Sequence, residues 1–385
     1  MATKLLIVSD SPAGSTGLGR IARELATRIQ IHLGDKIKVG TLGFGGKHSS
    51  RLNWPQYPVL HYGENQELID LPEVLRDFSP GEKCILLFIT NPGWVEWAAY
   101  PEKIADGDLK ACLTSGQFER WIYAPIDAEG PNGLPEEIRH ILDGFDRRLF
   151  YTEWAAKLYR DDAEFLPHGI DGNVFYPRDR KIARASFIQR IARLKYDPLK
   201  EDVMLIGMVA TNTARKDIPL AFETVAELVK RGVNAALWAH TSEFFREYDF
   251  NNLTRSFGLN GRVIPTRHYL SSDALAWAYS ACDIVLAPGS EGFGYVLAES
   301  LSCGVHCLHG QYAGGSEIVR PVNLMPVHAW RYEGIYCHKR PVFLASEWAD
   351  RVMELKDSPP IPQTKFHWSN VWPMWSEYLV KGIEQ

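Results

Sequence analysis

Two glutamates separated by seven residues, Glu291 and Glu299, bracket a glycine-containing turn in SEGFGYVLAES (Ser290–Ser300). The apolar run DIVLAP precedes the turn and helix-forming residues follow it, so the spacing predicts a strand-to-helix junction. Such a junction presents free backbone N–H groups and a partial positive charge, which suits a phosphate. Gly292 and Gly294 permit close backbone approach. The two carboxylates can accept hydrogen bonds from two hydroxyl-bearing parts of one ligand. Taken alone, the same pattern also fits an ordinary helix start with a solvent-facing second Glu.

Arg215 and Lys216 form a second constellation, at the predicted start of a helix. Basic residues there oppose the helix dipole, which favours an anionic partner over a plain surface turn. SDSPAGSTGLGR (Ser9–Arg20) places Gly14, Gly17 and Gly19 between a strand and a helix. It is neither the dinucleotide fingerprint nor a Walker A loop, and alone it is a weak phosphate signal. Asp127 is expected to end a strand, where a turn or capping role competes with a catalytic one. His168 reads as a structural residue. CGVHCLHG (Cys303–Gly310) lacks the paired spacing of a structural zinc site, and His306 and Cys307 on a strand would point to opposite faces, so packed thiols are expected. Trp368, Trp372 and Trp375 have the spacing of a packed helix face.

The elements that must hold these residues alternate between strand and helix. Strands are predicted over Lys4–Asp10, Ile37–Phe44, Cys84–Thr90, Trp121–Asp127 and Arg148–Thr152. A second series covers Val203–Ala210, Ala235–His240, Arg262–Thr266, Asp283–Pro288 and Val305–Leu308. Their apolar character is continuous, as in parallel sheets buried on both faces. Helices are predicted over Gly17–Gln30, Leu220–Arg231, Ser272–Ala281, Phe293–Cys303 and Ser346–Leu355. Two successive series imply an α/β chain of two doubly wound domains, with the seam between Pro167 and Glu201.

At 385 residues the chain suits two domains, and its 45% apolar and 23% charged composition excludes wholesale disorder. The net charge of −5 speaks against a dedicated basic nucleic-acid binder. Yet Arg178–Lys200 holds eight Lys/Arg against two Asp, a net of +6 that is either a solvated helix or a contact surface for a polyanion. No run approaches the ~20 apolar residues of a membrane span, and six cysteines are too few for a disulfide framework, so a cytoplasmic setting is expected.

Ser290–Ser300 resembles the Glu-x7-Glu motif of retaining GT-B glycosyltransferases, the family 4-like "glycosyl transferases group 1". The resemblance continues through ESLSCGVHCLHGQYAGGSEIV, the linker PHGIDGNVFYP and GMVATNTARKDIPLAFETVAEL, in the family's order. It implies a GT-B fold with two Rossmann-like domains facing across a cleft: an acceptor-side domain over 1–170, a donor domain over 171–355, and a returning helix over 356–385. It further implies transfer of a sugar, with retention, from a UDP- or GDP-sugar to an acceptor hydroxyl. No metal or other cofactor is implied.

Position by position, Glu291 matches the residue on the donor sugar and Glu299 the one on the ribose. Phe293 and Gly294 match the loop whose amides face the donor, and Arg215 and Lys216 the diphosphate clamp. Gly17 and Gly19 match the glycine loop that meets the donor, and Asp127 stands where relatives carry a residue near the reacting centre. One departure is Met208, where many relatives have Arg after the strand glycine. SDSPAGSTGLGR also looks like phage-encoded members, some of which modify hydroxymethylated bases. A modified DNA base therefore stands beside a glycan or small molecule as acceptor, with the host cytoplasm as the setting in that case. A non-catalytic nucleotide-sugar binder is the remaining alternative.

Overall fold

A computed structural model describes residues 2–45, 48–193 and 203–384. The chain divides into two units, one formed by Met1–His168 with Val371–Gln385 and the other by Gly169–Asn370.

In the first unit, β1 (Thr3–Asp10), β2 (Ile37–Phe44), β3 (Gln56–Pro58), β4 (Cys84–Ile89), β5 (Phe118–Ala124), β6 (Arg147–Phe150) and β7 (Glu164–Phe165) form one parallel sheet. Its order is β3-β2-β1-β4-β5-β6-β7. Leu5, Leu6, Ile7 and Val8 are all fully buried, which is why β1 reads as an unbroken apolar run. The helix Gly17–His32 turns Ile21, Leu25 and Ile29 inward, and Thr16 caps it by accepting from the Gly19 amide. β5 begins and ends three residues earlier than its sequence suggests, so Asp127 lies in the following loop and not at the strand end. The apolar Ile126 is buried in that loop, which is what extends the strand-like pattern past its true end.

In the second unit, β8 (Met204–Val209), β9 (Ala235–His240), β10 (Val263–Thr266), β11 (Ile284–Ala287), β12 (His306–Gly310) and β13 (Leu324–Met325) form a parallel sheet of order β10-β9-β8-β11-β12-β13. The strand order reverses direction between β8 and β11, so the loops leaving these two neighbours diverge and open a crevice at their carboxyl ends. The helix Ile218–Lys230 covers the sheet with Ile218, Phe222 and Val225. β14 (Ala329–Glu333) and β15 (His338–Val342) pair as an antiparallel hairpin outside the main sheet, which the sequence reading did not anticipate.

Three arginines of the basic run find partners inside this unit, while Lys181, Arg190 and Arg193 are exposed. Arg180 and Arg184 both meet Asp283, at 2.7 and 2.6 Å, and Arg178 stacks over Tyr176 and Trp277. Asp283 also accepts from the Leu205 amide at 2.7 Å, tying the helix Arg180–Ser186 to the start of β8. These three cations therefore serve the fold rather than forming a free polyanion surface. Lys195 and Lys200 lie outside the described residues. Asp283→Ala should destabilise the protein by about 2–3 kcal/mol, because Arg184, only 15% exposed, would lose its carboxylate. Denaturant unfolding of the variant measures this loss directly.

Candidate active site

Two loops build the site. The first leaves β8 and carries Arg215 and Lys216 in a single 3-10 turn, Ala214–Lys216. It is held at its base by Asn212, fully buried, whose amide donates to the carbonyls of Glu243 and Tyr248 and accepts from the Tyr248 amide. Asn212 escaped the sequence reading, since a lone Asn in a loop carries no spacing signal. It ends at Asp217, which adopts a left-handed conformation (φ 46°) and begins the next helix.

The second loop leaves β11 and carries Gly289, Ser290 and Glu291. The two loops touch backbone to backbone. The Ser290 amide donates to the Arg215 carbonyl at 3.1 Å, and the Arg215 guanidinium donates to the Ser290 carbonyl at 2.8 Å. A Cβ at Gly289 would lie 2.3 Å from Lys216 Cα and 2.4 Å from the Arg215 oxygen, so only glycine fits. This contact brings Lys216 into an ion pair with Glu291, each side chain 12% exposed, with Arg215 3.9 Å from the same carboxylate.

Beyond Glu291 the chain turns through Gly294 (φ 86°) into the helix Tyr295–Ser302. No side chain caps this helix and no acidic residue lies in its first turn, so its N-terminal amides keep their positive character. The Phe293 side chain is buried against Phe366, with ring centroids 5.2 Å apart, which leaves its backbone as the part that can serve a ligand. Glu299 lies in the second helical turn, 2% exposed, and accepts from the Tyr279 hydroxyl at 3.2 Å. Burial and this carboxylate together push the Tyr279 phenol well above its ordinary value. From the other side the Gly315 amide donates to the Glu291 carbonyl at 2.9 Å.

The structure thus brings Arg215, Lys216 and Glu291 together at the carboxyl ends of β8 and β11, with Phe293 and Gly294 in the turn that follows and Glu299 in the helix beyond it. Gly17, Gly19 and Asp127 belong to the first unit. There, Gly19 packs against the Ser11 carbonyl, where a Cβ would come within 2.4 Å, while Gly17 has open space around it. Asp127 follows β5, two strands from the β1 glycine loop. His168 is buried at a right angle to Tyr151, 4.8 Å between ring centroids, and burial and Arg20 hold its imidazole well below the usual value. Cys303, His306 and Cys307 are buried around β12, and no metal-holding group of three or more His, Cys, Asp or Glu occurs among the described residues.

Residues 200–330 match the family model described as "Glycosyl transferases group 1". Solved structures of similar fold extend over the chain's full length. Sucrose-phosphate synthase from Thermosynechococcus elongatus shares 16% identity at a TM-score of 0.69, covering 100% of both chains. HepE of Anabaena, in complex with UDP-glucose, shares 12% at 0.71, covering 98% of this chain and 99% of its own. The catalytic domain of starch synthase IV from Arabidopsis thaliana, bound to ADP and acarbose, shares 9% at 0.68, covering 100% of both. The fold is GT-B. No curated protein sequence matches the chain.

The two loops rest on the contact at Gly289. Gly289→Ala should force the two loops apart and destabilise the protein by about 1–3 kcal/mol. Denaturant unfolding of the variant measures it. The neighbouring Asp217 supplies a pH signature. Burial pushes its carboxyl up to about 6, with Glu223 and Glu333 acting in the same direction and Arg331 against them. The folded value lies above the unfolded one, so the folded protein holds the extra proton. Stability from this group is therefore full below about pH 4 and is lost as pH rises through about 6. Asp217→Asn removes that loss and tolerates the left-handed backbone. Its melting temperature should exceed that of the parent at pH 8 and match it at pH 4.

Proposed function

We propose that the protein is a retaining glycosyltransferase that moves a sugar from a nucleoside-diphosphate donor to an acceptor hydroxyl. The convergence of Arg215 and Lys216 on Glu291, beside an uncapped helix N-terminus, carries this reading. A donor diphosphate is a concentrated anion, and a leaving diphosphate gains charge as its glycosidic bond breaks. Two cations and a set of backbone amides held in place by the fold stabilise that charge with little reorganisation. The leaving group then needs little acid assistance. The sugar passes through an oxocarbenium-like state, as in glycoside hydrolysis.

In this reading the incoming diphosphate competes for Lys216 and Arg215, and Glu291 turns its carboxylate to the sugar hydroxyls. Glu299, held by Tyr279, serves the ribose. The amides of Phe293 and Gly294 face the phosphates. The UDP and ADP named with the related structures support a nucleoside diphosphate as donor class. A glycan or small-molecule hydroxyl is the favoured acceptor. Arg178, Arg180 and Arg184 face partners within their own unit, which reduces the charge argument for DNA to the exposed Lys181, Arg190 and Arg193 among the described residues.

A thermal-shift panel of UDP-, GDP- and ADP-sugars should identify the donor, since a ligand at 100 times its Kd adds about 2.7 kcal/mol. With that donor, Lys216→Ala and Glu291→Ala should each lose about 100-fold or more in kcat/KM while keeping parental circular dichroism. Full activity in either variant would overturn the site assignment. Labelled-sugar transfer to small glycans, plain DNA and hydroxymethylated DNA separates the acceptors. Turnover should persist in EDTA, because protein cations meet the diphosphate.

A further inference from the structure

His309, on β12, belongs to none of the residues assigned above. It is 1% exposed, and its Nδ1 lies 2.7 Å from the Ala287 carbonyl. A carbonyl only accepts, so Nδ1 carries the proton and Nε2 presents a bare lone pair. That Nε2 is buried and has no hydrogen-bond partner among the described residues. It faces Gly315: a Cβ there would lie 2.3 Å from Nε2 and 3.0 Å from Glu291 Cβ.

The imidazole therefore touches both supports of Glu291. Ala287 is the last residue of β11, from which the Glu291 loop departs. Gly315 donates its amide to the Glu291 carbonyl. We propose that His309, as the Nδ1–H tautomer, is the positioning residue that fixes the Glu291 backbone and so aims its carboxylate at the donor sugar. This deepens the glycosyltransferase reading and rests on it.

Protonation would undo the arrangement. An imidazolium would place an additional N–H and a full charge in a buried site packed against Gly315. The charged groups that face His309 are Glu291, which favours the proton, and Lys216, which opposes it. The carbonyl of Ala287 and the backbone at Tyr312 favour it as well, and burial outweighs these to hold the imidazole below its ordinary value. The site is then intact at neutral pH and loses its geometry in acid.

The experiment has two kinds of readout. The first is kinetic. His309→Ala should lower kcat about 100-fold, the usual consequence of an ångström-scale misplacement, while UDP affinity stays within about threefold. His309→Asn, which can still donate to Ala287 but cannot ionise, should recover at least about tenfold of that loss. It should also lose the acid limb of the parental pH–kcat profile. An unchanged kcat in His309→Ala, or the same acid limb in His309→Asn, would overturn the proposal.

The second readout needs no turnover. Long-range 15N–1H correlation spectra should show His309 as the Nδ1–H tautomer at pH 7. In thermal unfolding, Gly315→Ala should be less destabilising in a His309→Ala background than in the parent, because the clash with Nε2 is gone. An Nε2–H tautomer or strict additivity would overturn the assignment. If the parent protein turns over no nucleotide-sugar, the functional reading fails by itself, and the tautomer and coupling measurements still decide whether His309 holds Glu291.

Discussion

A carboxylate and an ammonium face each other where β8 and β11 end, and both have given up most of their water. Burying either alone would be expensive, so each requires the other. Their meeting depends on backbone geometry more than on charge. Gly289 lets the loop after β11 press directly on the loop after β8, and the reciprocal bonds between Ser290 and Arg215 keep it there. Asn212 anchors one loop from below, and Gly315 anchors the other. The ion pair is the visible end of that packing.

Charge placement in the second unit follows the same logic. The basic residues that stand out in the sequence between 178 and 184 are spent on Asp283, on aromatic faces and on carbonyls. Arg215 and Lys216, only two cations among many, are held where strand order reverses, and an uncapped helix adds its dipole nearby. Location at a topological switch point separates a binding cation from a structural one. Composition cannot make that distinction, because an arginine paired with aspartate and one awaiting a phosphate are the same letter.

The hairpin Ala329–Val342 and the end of β5 show where pattern reading loses its grip. The hairpin strand AWRYE is exposed over its first four residues, so no buried face imposed an alternation that could be recognised. At β5 the apolar signal ran on through Ile126, which is buried in a loop. Apolar residues report burial, and burial extends beyond hydrogen-bonded strands. Asp127 consequently moved from an expected strand end into the loop that follows.

The sequence by itself determined the two β/α series, the parallel character of their sheets, and two separate constellations, the glycine-turn dyad Glu291 and Glu299 and the cations Arg215 and Lys216. These are local signals: period, turn residues and spacing within a few positions along the chain. Only the tertiary structure decided that residues 75 positions apart, Lys216 and Glu291, share one ion pair, and that Arg184 and Asp283 share another. It also singled out Asn212, Gly289 and His309, whose roles come from single contacts across the fold and leave no periodic trace. A residue's partner in space is set by strand order and loop direction, and neither is written in the neighbours of that residue along the chain.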